Sequence, residues 1–271
     1  MKILQLNVWM RQLFDDIVQF IKNEDPDVIV LQEVMSGEIV RTDMKDWHIQ
    51  ELENLWYQSA VWKNFSITHR WKKTGDSGLA ILSKFDICDW SMSFVPELWP
   101  YTEYEIDRSD QMDDRGSYER RLRIRKRWED KPSAILSATI QTPWWCIRVM
   151  TSKLPASPKC TDTYLMHKHA EHMMHIYKQS KPLPTVIAWD FNTKPWSWTI
   201  EHILWHEFTS SFDSHTNTLN PRIHPWFKND IPASWYQVDH ILVVWWIFVS
   251  AKTIDIDVSD HLPIVADLVF D

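Results

Sequence analysis

Glycine is scarce in this chain: 4 residues in 271, where ordinary usage near ~7% would place roughly 19. Turns that need positive φ must therefore be made by other residues, with Asn, Asp and Ser the first candidates. Cysteine is sparse too. Cys88, Cys146 and Cys160 form an odd set without a close ligand pair, which argues against a disulfide framework and fits a reducing compartment, with buried thiols the plain expectation. No segment reaches ~18 consecutive apolar residues, so no membrane-spanning helix is expected. The opening Met1 to Asn7 stretch runs straight into strand-like alternation, without the apolar core and cleavage signal of a secretory peptide. A cytoplasmic or otherwise intracellular protein is the expectation. An excess of positive charge is also missing: 29 Lys and Arg stand against 37 Asp and Glu, for a net charge of −8. That balance argues against nonspecific adhesion to nucleic-acid backbones, while a divalent cation or a local basic patch can still bring phosphate in.

Tryptophan, by contrast, is abundant, with 18 residues. Indoles in loops carry a solubility penalty unless they pack, so core or loop packing is the expected fate of most. The set Trp144, Trp145, Trp196, Trp198, Trp226 and Trp235 has a second use, stacking bases beside a cleft.

Hydrophobic patterning places a strand at Lys2 to Val8, a helix over 11–21 with apolar residues along one face, and a buried strand at Asp27 to Glu33. A helix is predicted over 43–56, then strands at 57–62, 78–83, 87–94, 117–127, 133–140 and 144–151. A helix over 162–178, a strand at 185–188, a short helix near 196–204 and strands at 236–244, 247–254 and 263–269 complete the chain. No linker interrupts this order, so a single domain, 1–271, is expected, with two packed sheets and helices outside. Residues 97–114 hold seven acidic residues and one Arg, whereas 115–127 hold six Arg, one Lys and one Glu. The spacing of Arg121, Arg123, Arg125 and Arg127 gives either a solvated strand face or a phosphate-facing ladder. His167, His169, His172 and His175 crowd one predicted helix. Without a closed ligand set they read as a solvated helix rather than a zinc site.

The chemically telling residues stand at strand ends. Asn7 follows the first strand, Glu33 the second, Asp190 and Asn192 the strand at 185–188, and Asp260 and His261 precede the last, while Asp239 lies inside 236–242. Asn7, Glu33 and Asp260 offer hard oxygens suited to Mg²⁺ or Mn²⁺. An imidazole paired with a carboxylate has a fixed tautomer and a strengthened hold on its proton.

Leu6-Asn7-Val8, Leu31-Gln32-Glu33, Gly78 to Ser83, Trp189-Asp190-Phe191-Asn192, Val238 to Leu242 and Ser259-Asp260-His261-Leu262-Pro263 occur in this order over about residues 2–269. As a set they resemble the endonuclease/exonuclease/phosphatase superfamily. The resemblance implies a four-layer α/β sandwich and Mg²⁺-dependent phosphoester hydrolysis. It implies that Glu33 binds the metal with Asn7 close by, and that Asp260 ligates it or positions its water. It further implies that His261, oriented by Asp239, faces the phosphate, and that Asp190 and Asn192 organise the attacking water and the transition-state oxygens. Two positions depart from the family pattern. Trp189 replaces the usual Gly before the Asp, with strain expected if the backbone there needs positive φ and packing beside the cleft if it does not. Lys153, in Thr151-Ser152-Lys153-Leu154, stands where many relatives carry His, and is either an exposed loop lysine or a phosphate contact that acts as a mobile point charge.

The leading expectation is a Mg²⁺-dependent phosphodiesterase or nuclease, with DNA or RNA preferred as partner. Phosphate contacts are assigned to Asn7, Lys153, Asn192 and His261. The alternatives are a phosphomonoesterase for a small nucleotide, sugar or inositol phosphate, and a noncatalytic phosphate-binding module on the same scaffold. The sequence leaves the oligomeric state open, with a monomer the simplest expectation.

Overall fold

The computed structural model describes residues 1–8, 14–36, 48–69, 72–95, 105–107, 134–154, 157, 160–212, 216–224, 236–244 and 246–270. Alternation along the first strand sets the layering. In β1 (Lys2–Asn7), Leu4 and Leu6 pack with Ile17, Val18 and Ile21 of helix α1 (Phe14–Glu24), whereas Ile3 joins an apolar cluster containing Val186 and Ile241 of the other sheet. Gln5 and Asn7 fall on the Ile3 face by the two-residue period of a strand. Helix α1 carries Asp15 and Asp16 in its first turn and Lys22 in its last, the arrangement that suits the helix dipole.

The same partition continues along the chain. Strand β2 (Val28–Ser36) sends Val28 and Val30 inward and Ile29 and Leu31 toward α1 and α2 (His48–Glu53). Strands β3 (Gln58–His69), β4 (Lys72–Ser83), β6 (Glu105–Asp107), β12 (Ile247–Thr253) and β13 (Ile264–Phe270) complete the first sheet, in the order β12-β13-β1-β2-β4-β3-β6. The second sheet contains β5 (Asp86–Phe94), β7 (Ala134–Gln141), β8 (Cys146–Thr151), β9 (Thr185–Asp190), β10 (Phe208–Ser210) and β11 (Asp239–Val244), in the order β10-β11-β9-β8-β7-β5. Its outer face is covered by α3 (Tyr164–Gln179) and α4 (Trp198–Leu204), through Met166, Ala170, Met173, Ile200 and Ile203. Side-chain caps start both helices: Thr163 accepts from the Met166 amide and Ser197 from the Ile200 amide. The layers run helix, sheet, sheet, helix, so the fold is a four-layer α/β sandwich.

The elements follow the predicted order, with particular differences. The β3–β4 arms extend well beyond 57–62 and 78–83, because a polar run such as Lys72 to Ser77 is held by backbone pairing that hydrophobic alternation does not report. Strands β6 and β10 were not predicted; at three residues each they are too short to show a period. Both the strand at 117–127 and its arginine spacing lie outside the described residues, as do Trp226 and Trp235. The thiols are not uniformly buried: Cys160 is, but Cys88 is exposed and Cys146 intermediate. Trp144, Trp145, Trp196 and Trp198 remain substantially exposed rather than packed away, although Trp198 stacks on His202 and tilts against His167. Positive φ, where glycine would be usual, falls on Asp25, Glu33, Trp56, Cys160, Asn192 and Glu207, of which Asp25, Trp56 and Glu207 follow helices.

Helix α3 is not solvated on all sides, since His169 is fully buried between Ser152 and the Trp189 ring. Burial pushes His169 down to about 3, and it likewise lowers the buried His240 to about 4. Both groups are neutral in the folded protein but protonate near the ordinary histidine value of ~6.5 once unfolded. Below that value the unfolded chain binds more protons, so stability falls as pH falls, with each histidine contributing a slope approaching ~1.4 kcal/mol per pH unit. The melting temperature of the metal-free protein is therefore expected to drop by about 5–10 °C between pH 7 and pH 5. An equal or higher value at pH 5 in a calorimetric scan would contradict this account.

Candidate active site

Strand direction explains why the sequence-distant polar residues meet. β1 and β2 are parallel, so Asn7 and Glu33 leave the first sheet at the same end. β13 is antiparallel to β1, with Ile264 opposite Gln5, so the residues just before it, including Asp260 and His261, reach that end too. In the second sheet β9 ends at Asp190, directly opposite Asp239 at the start of antiparallel β11. β8 runs parallel to β9 and carries Thr151 and Lys153 to the same edge.

Glu33 is aimed by a backbone irregularity. The register with β4 slips between Gln32 and Val34, and Glu33 adopts φ 56°. A bulge of this kind takes one residue out of the ladder and redirects its side chain. For a non-glycine residue the left-handed region is unfavourable, and such strain concentrates where a side chain has a task. Asn192, at φ 48°, makes a tight turn instead: its amide N–H donates to Asp190 Oδ1 at 3.0 Å. The same turn lets its side-chain Nδ2 donate to Asp190 Oδ2 at 3.0 Å and to the Leu154 carbonyl at 2.9 Å.

Asn7 is the meeting point. Its Nδ2 donates to Asp190 Oδ2 at 3.0 Å and to Glu33 Oε1 at 3.3 Å, and lies 3.5 Å from His261 Nε2. His261 Nδ1 faces Asp239 Oδ2 at 2.8 Å. A carboxylate only accepts, so Nδ1 carries a proton in either charge state of the ring, and Nε2 points toward Asn7. Asp239 is itself held, its Oδ1 accepting from Gln5 Nε2 at 2.9 Å and its backbone N–H donating to Thr218 Oγ1 at 3.1 Å. Lys153 forms an ion pair with Glu33 Oε1, and its Nζ lies 3.9 Å from Asp190 Oδ2. Asp260 sits one step to the side, with Oδ1 accepting from Ser259 Oγ at 3.4 Å and Oδ2 3.9 Å from His224 Nε2. Ser259 Oγ also reaches the Asn7 carbonyl at 2.6 Å.

Asp190 and Asp239 are fully buried and His261 is 5% exposed. Burial, together with the Asp239 carboxylate, holds Asp190 above the ordinary carboxylate range, against the pull of His261 and Lys153. Burial raises Asp260 as well. For His261, burial opposes the charged ring, but Asp239, with Asp190 and Asp260 behind it, outweighs that and pushes the imidazole up to about 9. Burial lowers the Lys153 ammonium, again opposed by the surrounding carboxylates.

Two groupings fit a cation. Asp190, Asp239 and His261 each place a ligand atom within 4.8 Å of the others, a set able to hold a divalent ion. Glu33 adds a second indication: its Oε2 is buried with no hydrogen-bond partner among the described residues. A hard oxygen in that condition suits a divalent cation.

Every predicted site residue thus lies at this end of the sandwich. Asp260 is the outlying member, connected to Asn7 through Ser259. Trp189 has no positive φ and does not border the cleft; it faces α3, fully buried, with ring centroids 4.9 Å from His169 and 4.5 Å from Phe191. Sequence reasoning missed the supports. Gln5 ties Asp239 to Gln32, whose Nε2 donates to Thr151 Oγ1 at 2.9 Å, and Thr218 holds the start of β11. A polar residue at the inward position of β1 was the one readable sign of them.

Known structures of this architecture match over nearly the whole of this chain. A protein of the endonuclease/exonuclease/phosphatase family from Bacteroides thetaiotaomicron matches with TM-score 0.68 and 14% identity, over 100% of this chain and 98% of its own. A mannosyl-6-phosphatase of Bacteroides thetaiotaomicron VPI-5482 matches with TM-score 0.65 and 14% identity over 100% of both chains. The catalytic domain of human Nocturnin, with a bound sulfate anion, matches with TM-score 0.63 and 14% identity over 100% of this chain and 93% of its own. At such identities these likenesses establish the fold alone. No curated protein sequence matches significantly. The sequence itself carries the family signature across residues 4–148, just over half of the 271. With the matching sandwich and strand-end site, this places the chain in the Endonuclease/Exonuclease/phosphatase family.

Proposed function

We propose that this protein is a metal-assisted phosphoester hydrolase that removes a terminal phosphate from a small substrate such as a sugar, inositol or nucleotide phosphate. The observation that carries the hydrolase reading is the convergence of Glu33, Asp190 and the Asp239-backed His261 on the single Asn7 amide. Family membership and the cation-compatible cluster support phosphoester chemistry in general. Support for a small substrate comes from the burial of Asn7, Asp190, Asn192, Asp239, Asp260 and His261, which suits a phosphate at the tip of a ligand better than one within a long polymer. A solved structure of the same fold is a mannosyl-6-phosphatase.

In this reading Glu33 and Asn7 seat the cation, Mg²⁺ or Mn²⁺, with Asp260 beside it. When bound, such an ion supplies positive charge against the phosphate oxygens. Asp190, braced by Asn7 and Asn192, orients the attacking water and takes up its proton, for which a raised carboxyl pKa is suited. His261 enters as imidazolium, with Asp239 positioning its ring, and Nε2 donates to a phosphoryl oxygen or to the departing oxygen. Lys153, beside Asp190, adds a charged donor, and Asn192 keeps Asp190 in place. Every one of these groups comes from one chain, so a monomer suffices. The side-chain bonds between the sheets support treating 1–271 as one domain, and the unpaired thiols, exposed Cys88 included, support a reducing intracellular compartment. Among the described residues no helix is long and apolar enough to cross a membrane.

The test is a panel of a hexose 6-phosphate, an inositol phosphate, a mononucleotide, bis(p-nitrophenyl) phosphate and DNA and RNA oligonucleotides, assayed with Mg²⁺ or Mn²⁺ and again with excess chelator. Chelator-sensitive release of inorganic phosphate from a small monoester is expected. Preferential cleavage of oligonucleotides would return the reading to a nuclease. Turnover that survives the chelator would overturn the metal assistance, and absent turnover throughout would leave only a binding module.

A further inference from the structure

Lys153 stands on the second sheet and Glu33 on the first, and their charges meet across the gap between them. The lysine backbone is pinned, since Lys153 bridges to Asp190 and the Leu154 amide donates to the Asp190 carbonyl at 3.0 Å. Its side chain is less constrained: a quarter of it is exposed, and a four-carbon stem carries the ammonium. Glu33 Oε1 is shared by Lys153 and Asn7, while Oε2 has no hydrogen-bond partner among the described residues. A divalent ion using Oε2 would lie beside an ammonium on the neighbouring oxygen. Two cations on one carboxylate in a partly desolvated site repel strongly, so each weakens the hold of the other.

We propose that Lys153 is an exchangeable internal cation: it holds Glu33 toward Asp190 until a divalent ion takes the carboxylate, and the displaced ammonium then turns to the substrate phosphate. This rests on the phosphoester-hydrolase reading above and adds a coupling to it. The exchange needs only side-chain rotation, since the backbone of residue 153 is fixed at the sheet edge. It keeps the site's charge nearly balanced at each stage. It also makes cation and phosphate bind cooperatively, because the ammonium is offered to phosphate only after the ion has displaced it.

Isothermal titration of the full chain with Mn²⁺, and then of the Mn²⁺-saturated protein with inorganic phosphate, tests this in wild type, Lys153→Met and Lys153→Gln, with folding checked by circular dichroism. Both variants are expected to bind Mn²⁺ about tenfold more tightly than wild type, because the competing charge is gone. Both are also expected to bind phosphate about tenfold more weakly once the ion is in place, because a charged donor is gone. Unchanged or weaker Mn²⁺ binding in the folded variants would overturn the exchange, and so would phosphate affinity that ignores the substitution. Mn²⁺ binding that persists in Glu33→Gln would instead displace the metal from Glu33 and overturn the site assignment beneath it. The two failures are therefore distinguishable.

Discussion

Replacing His261 with alanine is expected to lower kcat on the best substrate by about a thousandfold to ten-thousandfold, combining the loss of proton transfer with that of a charged donor. Asp239 Oδ2 accepts its Nδ1 proton at 2.8 Å, and among the described residues His224, the nearby imidazole, does not replace it: it lies 6.2 Å away between ring centroids and is pushed down to about 4 by burial. His224 is therefore neutral where His261 is charged. Asp239→Asn should lose activity on a similar scale although its shape is preserved, because an amide can present its N–H to the ring and select the wrong tautomer. The proton balance gives an independent measurement. With a folded value near 9 against an ordinary 6.5, His261 holds its proton more tightly when folded. Its contribution to stability is complete below the ordinary value and is lost as pH rises through 9. An NMR titration of the metal-free protein should show this ring titrating near 9 in wild type and well lower in Asp239→Asn. Near-normal kcat in His261→Ala, with the fold intact, would reject the site.

The second large effect is expected at Glu33. Glu33→Gln keeps length, shape and the acceptor for Asn7, but removes the charge, and should weaken Mn²⁺ binding by at least about a hundredfold with a matching loss of turnover at moderate metal concentration. Stability should change little. The variant still places an oxygen before Lys153, and Asp190 Oδ2 remains 3.9 Å from the ammonium. Glutamine also meets the same left-handed backbone, φ 56°, as the glutamate it replaces. Titration of Mn²⁺ into both proteins and activity at rising metal concentration separate the alternatives. If saturating metal restores full kcat, Glu33 acts through affinity alone; if affinity is unchanged, the cation sits on Asp190, Asp239 and His261 instead.

Much of this was legible from sequence because the informative residues end strands. Asn7, Glu33, Asp190 and Asp260-His261 each follow or precede an apolar run, and parallel β1 and β2 carry the first two to a common edge. The supports were not legible. Gln5, Gln32, Thr151, Thr218 and Ser259 act on residues far away in the chain, and which of them touch depends on how one sheet lies upon the other. Lys153 illustrates the boundary. Its position at the strand-end cluster follows from the strand before it, but its partner Glu33, 120 positions earlier, belongs to the opposite sheet. Trp189 shows the converse: strand alternation sends Asp190 inward and its neighbour toward α3, so the glycine the family pattern prefers there is replaced without bulk entering the cleft.

Among the described residues no strand of one sheet pairs with a strand of the other, and the backbone link near the site is the isolated bridge between Leu219 and His261. At the working edge they are stitched by side chains: Gln5 to Asp239, Asn7 to Asp190, Gln32 to Thr151 and Lys153 to Glu33. The stitches and the groups proposed to react are largely the same residues. A ligand that spans Glu33 and Asp190 therefore acts as a rivet as well as a reactant, tightening the sandwich where the chemistry happens, and slippage of one slab over the other would dismantle the catalyst before the rest of the molecule.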